Sequence, residues 1–275
     1  LAVLVNADVA LVNNIQPAHV EGFGSLEAIA QEKSAIYRQL SAEGCAVINL
    51  DEPFAAGWLA DISVAKVVTF SRRDVSADFC AEDVAIDAKG CAHFTLTTAR
   101  QKVPVTLSTQ GLHQVSNALA AAALTSAVGA ELMDIAVGLS AATTLSGRLT
   151  VEKITPQLTL IDDSYNANPG SVAAAVDLLS GMRGLRILVL GDMAELGDKA
   201  QEWHKRTGIY AVEKSIDSVF SVGELAALAA DAAQGEQFAS REDCLARLLE
   251  IASQAADVTV LVKGSRSAGM DKLCA

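Results

Sequence analysis

The sequence predicts an α/β protein in which a mostly parallel sheet, extended by an antiparallel ribbon, precedes a second α/β unit. Short apolar runs rich in valine and isoleucine alternate with helical patterns, which is typical of parallel strands covered by helices on both faces. Residues 79–108 instead alternate apolar and polar side chains, which indicates antiparallel strands. At 275 residues the chain is long enough for two separate cores.

Composition narrows the possible functions. Apolar residues make up 51% of the chain and charged residues 20%, so the chain is globular. A net charge of −12 argues against a nucleic-acid surface, which needs clustered Lys and Arg. The five cysteines show no C-x-x-C or metal-ligand spacing, as expected in a reducing cytoplasm. The uncharged stretch 115–130 is too short for a bilayer, so we expect no membrane insertion and no signal peptide.

The first predicted strand is Val9–Val12, and a loop marked by Pro and Gly and containing His19 follows it. Ser25 can cap a helix that we expect to run to about Leu40. Lys33 falls within the apolar stripe of this helix, where burying a lysine is costly. Either its amine extends to solvent, or it is desolvated and partly neutral. A neutral amine can take up CO2 as a carbamate, an oxygen ligand suited to Mg²⁺.

The next elements build the rest of the first unit. Cys45–Leu50 is predicted as a buried strand that runs into the polar segment Asn49-Leu50-Asp51-Glu52-Pro53. Such residues just past a strand are where α/β sheets place ligands, although they also form simple turns. Lys66–Ser71 is a third strand, and residues 79–108 form the ribbon with a turn at Ala88-Lys89-Gly90.

An Ala-rich helix is predicted from Gly111 to about Val128. His113 and Asn117 lie four residues apart near its start and therefore share one face. The amide of Asn117 offers two donors and one acceptor, which suits the edge of an adenine. The alternative is that both are ordinary polar residues at a helix start.

The second unit begins with a strand at Leu158–Ile161 that is followed by the string DDSYNANP. Pro169 suits the first turn of a helix at 171–179, and the paired aspartates before it are candidate caps. The further strands are predicted at Arg186–Gly191, Ser218–Val222, 237–239 and Val258–Val262, and the helices at Lys199–Lys214, Leu225–Ala233 and Cys244–Ser253.

Two loops after these strands carry the strings GDMAELG and KGSRSAG. In the second loop, Lys263 and Arg266 could offer positive charge to an anionic substrate or phosphate. A solvated pair at a helix start is the alternative interpretation.

Two segments of the first unit resemble the Mur ligases. The string NNIQPAHVEGFGSLEAIAQEKSAI is similar to a family motif whose His and carbamylated Lys serve a second Mg²⁺ site, which implies these roles for His19 and Lys33. The family commonly has Lys-Gly-Glu-Ile where this chain has Lys-Ser-Ala-Ile. The string GLHQVSNALAA resembles a pattern with a His and an Asn at the adenine, which implies that role for His113 and Asn117. Gln114 replaces the family's first Asn there.

The second unit extends the resemblance. Arg148 resembles the Arg of a family Gly-Arg pair that reaches ATP, and the string DDSYNANPGS is typical of the Mur ligases that add D-alanyl-D-alanine. The resemblance implies that Asp163 binds the nucleotide near its ribose and that the substrate cleft is lined by Tyr165, Asn166 and Asn168, with Lys263 and Arg266 in the matching C-terminal loop.

The resemblance implies a domain plan and an activity. Residues 1–146 are expected to be the remainder of a central ATP-binding domain, and residues 147–275 a Rossmann-like C-terminal ligase domain. The implied activity is a cytoplasmic, monomeric ligase that uses ATP and Mg²⁺ to phosphorylate UDP-MurNAc-tripeptide, after which the amine of D-Ala-D-Ala attacks the acyl phosphate. No G-x-x-x-x-G-K-[ST] phosphate loop occurs in the sequence, so we expect the 275 residues alone to lack turnover.

Two other classes stay open. One is another amino-acid ligase of the same superfamily, of the folylpolyglutamate type, against which the string YNANP argues. The other is a non-catalytic nucleotide- or partner-binding module made of the C-terminal α/β unit. The absence of a G-x-G-x-x-G string makes NAD a poor candidate for such a module.

Overall fold

The computed structural model describes residues 2–17, 20–64, 66–87, 89–143 and 145–275. The chain separates into two compact units. The first comprises Leu1–Ile15 and Ser25–Thr143, and the second comprises Gln16–Gly24 and Thr144–Ala275. The segment Gln16–Gly24 thus packs with the later unit, whereas the predicted plan divides the chain once, after residue 146.

One six-stranded sheet forms the centre of the first unit. Its strands are β1 (Val9–Val12), β2 (Cys45–Asn49), β3 (Lys66–Ser71), β4 (Phe79–Ile86), β5 (Cys91–Thr97) and β6 (Lys102–Gln110). They lie in chain order, parallel from β1 to β4 and antiparallel from β4 to β6. This confirms the predicted parallel sheet with its antiparallel ribbon. Of the predicted turn, Ala88 lies outside the described residues.

Helices occur before, between and after these strands along the chain. In chain order they are α1 (Ala2–Val5), α2 (Val20–Phe23), which belongs to the second unit, α3 (Leu26–Ser34), α4 (Ala55–Asp61), α5 (His113–Ala127) and α6 (Leu132–Ala141). α5 agrees with the predicted helix and buries Val115 and Leu119 in the core. The sequence does not predict α4 or α6, since each contains a glycine that lowers helix propensity. Packing on β2 and β6 stabilises them instead.

The helix after Ser25 is shorter than predicted. Ser25 caps it as expected, its Oγ accepting the backbone N–H of Ala28 at 3.1 Å. The α-helix ends at Ser34, however, and a 3-10 turn follows at Tyr37–Gln39. The reason is Tyr37, whose buried hydroxyl accepts the N–H of Val12 and donates to the carbonyl of Val47. Burial raises the pKa of Tyr37 to about 12, so the hydroxyl stays protonated and continues to donate.

A second six-stranded sheet forms the centre of the second unit. Its strands are β7 (Thr150–Lys153), β8 (Leu158–Asp163), β9 (Leu185–Gly191), β10 (Ser218–Val222), β11 (Glu236–Phe238) and β12 (Val258–Lys263). Their order across the sheet is β11-β10-β9-β12-β8-β7, and only the edge pair β7–β8 is antiparallel. The mostly parallel sheet that the sequence predicts is confirmed. β12 lies between β8 and β9, which brings the carboxyl ends of β8 and β12 side by side.

The helices of this unit are α7 (Pro169–Ser180), α8 (Ala200–Glu213), α9 (Ala227–Ala232), α10 (Arg241–Gln254) and α11 (Asp271–Cys274). Pro169 occupies the first turn of α7 as predicted. The paired aspartates do not cap this helix, because both belong to β8. Asn168 is the cap, and it forms a reciprocal capping box with Ser171. Across the described residues, no helix combines the length and the apolar character needed to cross a membrane.

A buried histidine holds the loop after β9. His204 on α8 is fully buried, and its Nε2 accepts the backbone N–H of Met193 at 2.9 Å. Its Nδ1 lies 2.7 Å from the carbonyl oxygen of Ala200, to which it donates. Both ring nitrogens are therefore used by the neutral imidazole. Burial lowers the pKa of His204 below its ordinary value of 6.5, although the Ala200 carbonyl and the charge of Asp192 oppose this shift.

We expect acidification to destabilise the second unit through His204. A histidine whose pKa is lowered by folding contributes its full stability above the unfolded value of 6.5. That stability falls as the pH drops below 6.5, by about 1.4 kcal/mol per pH unit until the folded pKa is reached. Urea unfolding at pH 7.5 and 5.5 measures the effect. His204→Gln, which cannot titrate, should show a smaller difference between the two pH values, and an equal difference would contradict the assignment.

Candidate functional site

In the first unit, the segment Asn13–Ile15 directly follows β1 and is called the β1 loop below. The side-chain Nδ2 of Asn13 donates to Oδ1 of Asn117 at 3.1 Å, near the start of α5. Asn117 in turn donates to Oε1 of Gln114 at 3.0 Å. Asn117 is exposed, so part of its amide remains accessible beside the carboxyl end of β1. Asn117, which is predicted to bind adenine, thus lies at the edge of the sheet where α/β proteins bind ligands.

Lys33 does not lie on the buried face of α3. The helix ends one residue later, and the Lys33 side chain is exposed. Of the two alternatives that the sequence leaves open, the structure therefore agrees with the amine that extends to solvent and not with the desolvated one. The side chain extends to the β1 loop, with Nζ 3.5 Å from the carbonyl oxygen of Asn14. Its charge also reaches Glu52, whose carboxyl pKa is raised by burial and lowered by the Ile15 N–H and by Lys33.

The predicted metal site is only partly described. His19 lies outside the described residues, so its role remains a prediction. Within the described residues, no group of three His, Cys, Asp or Glu side chains could hold a metal ion. Mg²⁺, however, is usually bound by one or two anionic protein oxygens together with water and substrate phosphates. A carbamate on Lys33 would supply one such oxygen, so the residues present fit a Mg²⁺ ion held mainly by substrate.

His113 is the first residue of α5, and its ring covers Gly111. A Cβ at Gly111 would lie 2.6 Å from Cε1 of the imidazole, and the backbone φ there is +100°. Only glycine fits both the conformation and the close approach. The ring of His113 is thus seated on the turn that starts the helix, one helical turn before Asn117.

In the second unit, Asp163 and Lys263 form a buried ion pair. Their strands place them opposite each other in the sheet, and Nζ of Lys263 lies 2.5 Å from Oδ2 of Asp163. The same amine donates to the backbone carbonyl of Asn166 at 2.8 Å. Lys263 is only 2% exposed, so the alternative interpretation of a solvated lysine is wrong, and its amine is bonded within the protein. Burial raises the pKa of Asp163 and lowers that of Lys263, and each partner's charge opposes the other's shift.

The ion pair is connected to the predicted phosphate-binding arginine. Oδ1 of Asp163 accepts the backbone N–H of Leu149 at 3.2 Å. The guanidinium of Arg148 lies over the ring of Tyr165, 4.3 Å from its centroid, in a cation–π contact. Tyr165 itself donates its backbone N–H to the carbonyl of Gly147 at 3.0 Å. The Tyr165 ring thus contacts the Arg148 guanidinium, and both residues that flank Arg148 are bonded through their backbones, in an arrangement that no local sequence signal indicates.

The remaining predicted cleft residues differ in what they contact. Tyr165 and Arg266 line a cavity of about 270 Å³ beside the carboxyl end of β8. Arg266 pairs with Asp271 at 3.2 Å and is exposed. Asn166 is exposed and its Oδ1 accepts the N–H of Ala167. The side chain of Asn168 is used by the helix cap, so its oxygen is already bonded.

The chain thus consists of two α/β units, each of which places polar residues at the carboxyl edge of a mostly parallel sheet, where α/β proteins bind ligands. The sequence matches the Mur ligase middle domain over residues 1–125. It matches the Mur ligase glutamate ligase domain over residues 147–266. The chain belongs to the Mur ligase family.

Several similar proteins are D-alanyl-D-alanine-adding ligases by name. The UDP-N-acetylmuramoyl-tripeptide--D-alanyl-D-alanine ligase of Escherichia coli is 41% identical over 98% of this chain and 60% of its own length. The crystal structure of MurF from Acinetobacter baumannii is 31% identical with a TM-score of 0.91, covering 99% of this chain and 60% of that one. MurF from Thermotoga maritima in complex with ADP shares the fold, with a TM-score of 0.82 at 22% identity over 98% and 61%. The chain thus spans about 60% of the length of the curated relatives it matches.

Proposed function

We propose that the protein containing this chain is an ATP-dependent ligase that joins D-Ala-D-Ala to UDP-MurNAc-tripeptide. The observation that carries the proposal is a relative of that name with 41% identity over 98% of this chain. The sequence motifs favour the same conclusion, because two residues they single out, Asn117 and Asp163, lie at the carboxyl edges of the two sheets. The other amino-acid ligases and the non-catalytic module have no such observation in their favour. We place the reaction in the cytoplasm and expect a monomer.

In the first unit, Asn117 would bind the adenine edge through the part of its amide that Asn13 and Gln114 leave free. His113 would contact the same base from the start of α5. Lys33, as a carbamate, and His19 would serve the Mg²⁺ ion, which neutralises phosphate charge when bound. Glu52 adds a partly buried carboxylate close to Lys33.

In the second unit, Arg148 would donate its fork of N–H groups to phosphate oxygens. The Tyr165 ring keeps this guanidinium oriented. Asp163 uses one oxygen for Lys263 and the other for the Leu149 N–H. Each carboxylate oxygen can accept two bonds, so Asp163 retains acceptors for ribose hydroxyls. Tyr165, Asn166 and Arg266 would contact the acceptor substrate.

The test is ATP-dependent phosphate release by the full-length protein. We expect release only when UDP-MurNAc-tripeptide and D-Ala-D-Ala are both present, because the acyl phosphate needs a carboxylate to form and an amine to react. The 275-residue chain alone should show no turnover. Single amino acids and a folate substrate with glutamate form the comparison panel. Release that depends on one of these instead, or full activity of the 275 residues alone, would contradict the proposal.

A further inference from the structure

We propose that Asn49 and Glu52 are positioning residues for nucleotide binding, acting through the β1 loop. They belong to the polar segment after β2, for which the sequence leaves a ligand site and a simple turn equally open. Neither side chain is predicted to touch the nucleotide. Each instead binds the backbone of the loop that contacts Asn117 and Lys33. The inference rests on the proposed function, because in that proposal Asn117 binds the adenine of ATP and Lys33 serves the Mg²⁺ ion.

Backbone groups along and just before the β1 loop are paired with side chains from other elements. The N–H of Val12, at the end of β1, donates to the hydroxyl of Tyr37 at 2.8 Å. The carbonyl of Asn13 accepts Nδ2 of Asn49 at 2.9 Å. The N–H of Ile15 donates to Oε2 of Glu52 at 3.2 Å. Side chains thus substitute for the strand partner that the sheet no longer supplies after Val12.

Asn49 uses both ends of its amide. While Nδ2 donates to the Asn13 carbonyl, Oδ1 accepts the N–H of Asp51 at 3.0 Å. The residue is only 5% exposed, so water cannot readily replace either bond. An aspartate at this position would keep the bond to Asp51 but set an oxygen against the Asn13 carbonyl. Asn49→Asp is therefore a nearly isosteric change that replaces the loop contact with a repulsion between two oxygens.

Glu52 binds the other end of the loop. Its carboxylate is partly buried, and the groups that face it are the Ile15 N–H, the Lys33 ammonium and the neighbouring Asp51. A glutamine could still accept the Ile15 N–H through its amide oxygen, whereas an alanine could not. Comparing the two variants separates the hydrogen bond from the charge.

From this anchored loop, two contacts lead to the candidate site. The Asn13 side chain reaches Asn117 on α5, and the Asn14 carbonyl lies 3.5 Å from Nζ of Lys33 on α3. The β1 loop therefore contacts candidate site residues on two different helices. If the loop backbone moves, the Asn117 amide loses its hydrogen bond from Asn13. The amide is then no longer held in one orientation, and adenine binding should weaken.

The experiment measures loop order and ATP binding separately in the full-length protein. Hydrogen exchange reports the Ile15 amide, and calorimetry reports the Kd for ATP. We expect Glu52→Ala and Asn49→Asp to accelerate exchange in the β1 loop and to weaken ATP binding roughly tenfold, the equivalent of one hydrogen bond. Glu52→Gln should restore most of the affinity. Asp78→Ala is the matched control, since Asp78 accepts the N–H of Thr69 at 2.8 Å on a different strand.

Each outcome decides between the two proposals. Faster exchange with unchanged ATP affinity would show that the loop does not position the nucleotide residues, and unchanged exchange would show that Asn49 and Glu52 do not hold the loop. Either result overturns the inference. If the wild-type protein binds ATP but does not ligate, the proposed function fails while weakened binding in the variants still supports the inference. A wild-type protein that does not bind ATP overturns both.

Discussion

Replacing Lys33 with alanine in the full-length protein is expected to lower kcat by about 100-fold to 1,000-fold, the effect of losing one preorganised electrostatic contact to the transition state. Lys33→Arg should not restore activity. Arginine keeps the positive charge and the reach, but its guanidinium cannot form a carbamate. The measurement is steady-state phosphate release with UDP-MurNAc-tripeptide and D-Ala-D-Ala at saturating ATP. Full activity in either variant would remove the carbamate from the mechanism.

The carbamate itself can be observed without turnover. Full-length protein equilibrated with ¹³C-bicarbonate and Mg²⁺ should give a carbamate carbon signal that is absent in Lys33→Arg. Lys89→Ala is the control for the loss of a lysine from the same unit, because Lys89 is exposed in the turn after β4. A signal that persists in Lys33→Arg would assign the modification to another amine. Lys33 is exposed, so burial would not stabilise a carbamate there, and the proposed Mg²⁺ ion is included in the sample for that reason.

Lys263→Met should strongly destabilise the second unit. It leaves the Asp163 carboxylate buried without its counter-charge and the Asn166 carbonyl without its donor. Breaking a buried ion pair from one side costs about 3–5 kcal/mol of unfolding free energy. Urea unfolding followed by fluorescence measures the loss. In a Trp58→Phe background, Trp203 is the remaining tryptophan and reports the second unit.

A double variant and an exposed ion pair of similar length test whether the buried, unpaired charge causes the loss of stability. Asp163→Asn combined with Lys263→Met removes both charges, so its cost should be well below the sum of the single changes. Lys102 forms an ion pair of similar length with Glu82, 2.6 Å, but its side chain is 58% exposed. Lys102→Met should leave the unfolding midpoint nearly unchanged, because exposed pairs contribute little. Equal losses for Lys263→Met and Lys102→Met would contradict the role of burial.

Local patterns in the sequence were sufficient for most of the fold. Lys66–Ser71 and Ser218–Val222 are predicted and observed with the same bounds, because β-branched and apolar runs of that length have one stable place in a covered sheet. The long helix from His113 agrees with the Ala-rich run that the sequence predicts as a helix, since alanine has the highest helix propensity. These signals lie within a few consecutive residues and do not depend on distant parts of the chain.

The end of α3 is decided by contacts with residues that are distant in the sequence. The apolar stripe continues past Ser34, yet the chain turns there to insert Tyr37 between β1 and β2. That turn leaves Lys33 exposed at the helix end. The bonds that decide it join Tyr37 to Val12 and Val47, residues whose proximity depends on the pairing of two strands.

The sequence by itself determined that the chain is an α/β protein of the Mur ligase type and which residues bear its motifs. Only the tertiary structure decided how those residues are paired. Asp163 and Lys263 meet because β12 lies between β8 and β9. The residues of neither strand indicate this strand order. Once they meet in a buried environment, desolvation makes each the required partner of the other, and a lysine for which the sequence left a ligand contact and a solvated position open becomes part of the core.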